Sequence, residues 1–128
     1  WINDSKGTNV GASCAAIESL AGENNLILIA GGEGKGADFS PLIAAMQDRV
    51  RVVITLGRDG PAIAGLLPPG MPHQPVTTME EAVQHAAEHA RPGDTVLLSP
   101  ACASLDMFTD YAERGRCFAA AVHALGDA

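Results

Sequence analysis

The sequence predicts an α/β domain in which a mostly parallel, five-stranded sheet is packed between helices in three layers. Short apolar runs alternate along the chain with segments of helical periodicity, the pattern left by repeated strand-helix-strand units. The apolar weight sits in Ala, Val, Ile and Leu, with only 4% aromatic residues, as suits helices lying close on a sheet. Turn-formers separate the runs, among them Gly57-Arg58-Asp59-Gly60 and the cluster Pro68-Pro69-Gly70-Met71-Pro72. With 128 residues, 47% of them hydrophobic, the chain suffices for one domain with one core.

In order, strands are expected at 1–3, 26–30, 50–56, 74–76 and 95–98, and helices at 9–20, 41–47, 61–66, 79–90 and about 105–125, with boundaries good to about 2 to 4 residues. Asn9 or Thr8 can cap the first helix, and Asp4 with Ser5 can form an Asx-type turn before it. Ser40-Pro41 reads as an N-cap followed by a first-turn proline. The 79–90 helix is the most clearly marked: Thr78 and Glu81 form a capping-box pair, and Met79, Ala82, Val83, Ala86, Ala87 and Ala90 make one apolar stripe. Its other face carries His85, Glu88 and His89, formally the H-x-x-E-H spacing of some zinc peptidases. A catalytic zinc needs a third ligand and a pocket, so a solvated helix face is the better account. Ser99 or Ser104 can cap the last helical segment.

Composition excludes several classes of function. Net charge is -7 and no Lys/Arg cluster occurs, so neither nucleic acid nor an anionic membrane surface is an expected partner. No apolar run approaches the roughly 20 residues of a membrane span, and no signal-peptide pattern opens the sequence. Cys14, Cys102 and Cys117 are odd in number and lack zinc spacing, which suits a reducing compartment. A soluble, cytoplasmic protein is expected. No histidine stands in a loop comparable to that of Cys102, so a buried thiol is favoured over a nucleophile.

The segment GGEGKGADFS, residues 31 to 40, follows the apolar run 26–30 as a phosphate cradle often does. A Walker A loop needs Ser or Thr after its lysine, and Lys35 is followed by Gly36. Gly32-x-Gly34-x-x-Ala37 satisfies the dinucleotide pattern of Rossmann folds on paper, but the glycines come too early for a helix beginning near Ser40, and Glu33 would repel a pyrophosphate. A nucleotide-binding module is therefore the second reading. The first rests on three polar segments that each follow a strand: Asn3 to Asn9, Gly31 to Ser40 and Ser99 to Ser104. In a parallel sheet such loops share the carboxyl edge, where open α/β folds bind ligands. They hold Lys6 and Lys35, the chain's two lysines, together with several hydroxyls and glycine-turn amides. That inventory suits a small anion with more than one acidic group. Arg58, in the turn after the third strand, either faces the same crevice or is solvated.

The stretches WINDSKGTN, GGEGKGADFS, LLSPACASLDMF and ERGRCF, in this order, resemble the C-terminal domain of the Mur ligases, specifically the branch that adds D-glutamate, over essentially all 128 residues. The resemblance implies a Rossmann-like three-layer fold and an enzyme that uses ATP and Mg2+ to phosphorylate the carboxylate of UDP-N-acetylmuramoyl-L-alanine, so that the amine of D-glutamate attacks an acyl phosphate in peptidoglycan precursor synthesis. It assigns Lys35 and Thr8 to the α-carboxylate of D-glutamate, with Lys6 in support. Ser104 and the backbone near Tyr111, where many relatives have Phe, take the side-chain carboxylate, and Asp4 reaches the nucleotide. Residues 1–128 would then be the acceptor domain of a monomeric ligase. The UDP-binding and central ATPase domains, which hold most of the ATP and Mg2+ contacts, are absent from this chain. The two readings separate by observation: carboxylates or sulfate at Lys6 and Lys35 for the first, a dinucleotide over Gly32 to Ala37 for the second.

Overall fold

A computed structural model describes residues 1–5, 8–20, 25–32, 36, 38–102 and 110–126. The order of elements is β1 (Ile2–Asn3), α1 (Val10–Leu20), β2 (Leu26–Gly31), α2 (Ser40–Met46), β3 (Val50–Leu56), α3 (Gly60–Ala64), β4 (His73–Pro75), α4 (Met79–His89), β5 (Thr95–Leu98) and α5 (Tyr111–Gly126). The five strands form one sheet in the order β1-β5-β2-β3-β4, and every pairing is parallel. This is the predicted α/β architecture.

Alternation along β2 builds the three layers. All six of its residues are buried, because it lies in the middle of the sheet with helices on both faces. Leu26, Leu28 and Ala30 pack with Ile17 of α1, Leu42, Ala45 and Met46 of α2 and Ile63 of α3. Ile27 and Ile29 point the other way, to Met79, Ala82, Val83 and Ala86 of α4 and Phe118 of α5. The α4 stripe is thus buried as predicted over four positions, while Ala87 is half-buried and Ala90, the extended residue just past the end of the helix at His89, is exposed.

A bulge in β3 sets its faces. Leu26 pairs with Val50 but Ile27 pairs with Val52, so Arg51 is an inserted residue. Val50 and Val53 consequently share one face, and Val52, Ile54 and Leu56 the other. Arg51 hydrogen-bonds the His89 carbonyl at the end of α4 (2.6 Å) and pairs with the Asp94 carboxylate, which also accepts from the Arg91 amide at 2.9 Å. Burial pushes the Asp94 carboxyl up, but the Arg51 hydrogen bond, the Arg91 amide and the charges of both arginines outweigh it and hold it below the usual carboxylate range.

Several caps differ from expectation. Thr78 does accept from the Glu81 amide (3.1 Å), but the Glu81 carboxylate takes the Thr77 hydroxyl at 2.5 Å, so only half of the capping box is drawn as predicted. Helix α2 begins at Ser40 itself with Phe39 in the cap position, and the side chain that accepts there is Asp38, from the Ser40 amide at 2.9 Å. That amide and the Ser40 hydroxyl hold the exposed Asp38 carboxyl below its ordinary range. The described part of α5 opens at Tyr111, where Asp110 accepts from the Glu113 amide at 2.8 Å; the predicted start near 105 lies outside the described residues.

Candidate functional site

Strands β1, β5 and β2 are neighbours and run the same way, so the chain leaves all three at one edge of the sheet. The first polar segment starts as β1 ends. Asn3 folds back through its side-chain oxygen onto the Ser5 amide (3.2 Å), so the turn expected from Asp4 is made by Asn3 instead. Asp4 is thereby free for a longer contact: its carboxylate accepts from the Ser99 hydroxyl at 2.8 Å, 95 residues away. Ser99, fully buried, lies 2.9 Å from the hydroxyl of buried Ser13 on α1, and so does not cap a helix as had been expected of Ser99 or Ser104. Asn9 caps α1 by accepting from the Ala12 amide (2.9 Å), which leaves the half-buried Thr8 clear of capping.

The end of β2 is fixed by close backbone approach. Gly31 has φ +133°, and a Cβ there would lie 1.8 Å from the Leu56 carbonyl oxygen, so only glycine fits. Its amide donates to the Pro100 carbonyl (3.0 Å), and the Gly32 carbonyl accepts from the Asp59 amide (2.8 Å). The loop after β2 is thus anchored on one side to the loop after β5, and on the other to the turn before α3. Arg58 in that turn is exposed.

A buried cation ties the first and third segments together. Arg114 on α5 is 2% exposed. It donates to the Ser5 hydroxyl (3.1 Å) and carbonyl (2.7 Å) and to the Cys102 carbonyl (2.9 Å). The Ser5 hydroxyl in turn donates to the Tyr111 carbonyl at 2.6 Å. Guanidinium suits this place because its planar fork presents several fixed donors to carbonyls at once. Gly115 lets α5 come close, since a Cβ there would meet the Asn3 amide and Ser5 Cβ at 3.2 Å. The Asn3 side chain donates to the Gly115 carbonyl across that contact, at 2.9 Å.

Of the site residues read from the sequence, Asp4, Thr8 and Tyr111 are described and stand at this edge; Lys6, Lys35 and Ser104 lie outside the described residues, as do Gly34 and Ala37. Of the positions flanking them, Ser5 and Cys102 are joined through Arg114, and Gly31, beside Gly32, is bonded to Pro100. Tyr111 is the first residue of α5 and is exposed, and as such its amide is one of those a helix leaves without an intrahelical partner. Helix α2 starts eight residues after Gly32, which deprives the glycine loop of the helix N-terminus a dinucleotide site requires. Cys102 is fully buried, as expected of a packed thiol. Arg114 belongs to the ERGRCF stretch, and the sequence alone assigns it no role. The signal was there: it sits at helical spacing from Phe118, Ala121, Val122 and Leu125, on the apolar stripe of α5, where a charge must have partners. On α4, His85 lies 3.6 Å from Glu88 on a half-exposed surface.

The family model described as "Mur ligase, glutamate ligase domain" matches residues 1–102. A UDP-N-acetylmuramoylalanine–D-glutamate ligase from Bordetella pertussis is 56% identical over 126 residues, 98% of this chain and 24% of its own length. Ligases of the same name from Colwellia psychrerythraea (56% over 131 residues, 99% of this chain and 27% of theirs) and Pseudomonas syringae (55% over 127 residues, 98% and 28%) are similar to the same degree. The chain thus spans about a quarter of the length of the curated relatives it matches. Among solved structures, a domain described as part of a UDP-N-acetylmuramate:L-alanyl-γ-D-glutamyl-meso-diaminopimelate ligase from Haemophilus ducreyi superposes with a TM-score of 0.56 at 15% identity, covering 89% of this chain and 85% of that one; the likeness is one of fold.

Proposed function

Since this chain belongs to the Mur ligase, glutamate ligase domain, family, we propose that it is the acceptor-binding part of an ATP-dependent ligase that joins D-glutamate to UDP-N-acetylmuramoyl-L-alanine in cytoplasmic peptidoglycan precursor synthesis. The observation that carries the reading is the cross-tying of the three loops at one sheet edge, through Asp4 to Ser99, Gly31 to Pro100 and Arg114 to both Ser5 and Cys102. These contacts fix the flanks of Lys6, Lys35 and Ser104, the residues to which the acceptor's carboxylates are assigned.

In this proposal Lys35 and Thr8 hold the α-carboxylate, supported by Lys6, while Ser104 and the Tyr111 amide hold the side-chain carboxylate. Ammonium-carboxylate hydrogen bonds are charge-assisted and directional. They act by aiming the free amine at the acyl carbon, so the lysines work as anchors and need not be bases. ATP, with Mg2+, supplies activation of the other substrate's carboxylate. Toward the nucleotide this chain would offer Asp4: among the described residues one oxygen of its carboxylate accepts from Ser99, and the other would accept a hydroxyl such as a ribose offers. Among the described residues no group of three His, Cys, Asp or Glu could hold a metal, and the phosphates and Mg2+ belong in this scheme to the other two domains of the ligase. The whole enzyme is proposed to act as a monomer.

The test is Lys35→Ala in the complete ligase. Losing one charged hydrogen-bond partner costs roughly 1.5 to 3 kcal/mol, so kcat/KM for D-glutamate should fall about tenfold to a hundredfold, with the KM values for ATP and the UDP-linked substrate unchanged. A kcat/KM within about twofold of wild type, with an unchanged melting curve, removes Lys35 from the acceptor site.

A further inference from the structure

Helix α3 is anchored by one deeply buried side chain, Ile63, and has open space on two sides. On one side a cavity of about 310 Å³ separates α3 from the edge strand β4, between Gly60 and Ala64 on the helix and His73 and Pro75 on the strand. Thr55 forms its floor. That residue is 2% exposed, and its hydroxyl lies 2.8 Å from His73 Nε2. Among the described residues this is the one hydrogen bond of the His73 ring, so its Nδ1 has no protein partner there. Largely apolar walls around a single polar pair suit a small planar body with a hydrogen-bonding group at one end, and the volume lies at the low end of the roughly 300–1,000 Å³ range of ligand pockets.

On its other side α3 faces the acceptor loop. A second hollow, of about 340 Å³, lies between Asp59, Ala62 and Leu66 and the residues Gly36, Asp38 and Phe39 of the loop after β2. The Asp59 amide is bonded to the Gly32 carbonyl at 2.8 Å. Helix α3 is therefore a wall common to both hollows, and its first turn is joined to the strand end from which the Lys35 loop departs.

We infer that the Thr55–His73 cavity is a second ligand site, for a fragment-sized planar heteroaromatic molecule with a ring N–H donor and acceptor, and that filling it moves α3 against the loop after β2. Its effect on acceptor use rests on the function proposed above; binding and the loop response do not. The probe is benzimidazole, titrated into the 128-residue chain and followed by amide chemical shifts. Saturable shifts at Thr55, Gly57 and Gly60 are expected, with Kd on the order of 1 mM for so small a ligand, accompanied by shifts at Gly32 and Phe39. Ala64→Leu, which fills the cavity, should abolish them. If that variant does not fold, His73→Ala should weaken binding about tenfold, the cost of one well-made hydrogen bond. In the complete ligase, saturating benzimidazole should change KM for D-glutamate by at least about twofold, leaving KM for the UDP-linked substrate constant. The inference is overturned by three results: no saturable shift, shifts that survive in both variants, or saturation that leaves Gly32, Phe39 and KM for D-glutamate unmoved. A failure of the acceptor assignment is told apart by the Lys35→Ala kinetics, which do not involve the cavity.

Discussion

Arg114 shows how a single side chain is set by its surroundings. Three of its donors meet carbonyl or hydroxyl oxygens of Ser5 and Cys102, so an apolar replacement of similar length would leave several buried acceptors unpaired. Arg114→Met is expected to lower stability by about 2 to 5 kcal/mol, read from urea denaturation, with Arg114→Lys recovering only part because an ammonium lacks the planar fork. Gly31 sits under a harder constraint. Gly31→Ala places a Cβ inside the Leu56 carbonyl, and a loss of more than about 3 kcal/mol is expected in the same assay. The sequence made Gly31 visible only as one of a glycine group. Which glycine is obligatory depends on the neighbouring strand, and nothing local reveals it. The contact of Asp4 with Ser99 was not legible, since 95 residues separate them.

Among the elements, β3 and β5 fall where apolar runs and turn-formers put them, and β4 is displaced by one residue, to His73–Pro75. Alternation and turn chemistry are local and can be read directly. The bulge at Arg51 could not be, because a bulge is a relation between two strands. Its consequence is testable through the Arg51 pair with Asp94. The Asp94 carboxyl titrates lower in the folded chain than in the unfolded one. Its stabilisation is therefore complete above the ordinary carboxylate range and disappears as pH falls through the depressed folded value. Urea midpoints measured from neutral pH down to about pH 3 should decline for the wild type, and Asp94→Asn should be less stable at neutral pH with a shallower acid decline. Equal acid slopes in the two proteins would show that Asp94 is not the group responsible.

For the molecule as a whole, the layers, the parallel sheet and the shared edge of the three polar loops were legible in the sequence motifs. They could not give the sheet order, and with it the adjacency of β1 and β5, because strand order depends on which faces of which helices meet. Among the described residues, the loops after β1, β2 and β5 meet at one edge of the sheet, and helix α2 begins eight residues after Gly32. Purified residues 1–128 should neither hydrolyse ATP nor form the peptide bond, and ATP turnover that follows the chain through successive purification steps would overturn this.

The pairing of β1 with β5 also governs when the site can come into being. Ile2 is hydrogen-bonded alongside Leu97 and Ser5 is clasped from Arg114, so among the described residues β1 finds its sheet neighbour only once β5 has been made. On the ribosome, β2, β3 and β4 can join as they emerge, since each pairs with a strand near it in sequence. The segment carrying Lys6 must wait for almost the entire domain to be synthesised. A release of the chain before residue 114 would leave Ser5 and Cys102 without the guanidinium that joins them, and closing so long a loop makes the pairing of β1 slow to form.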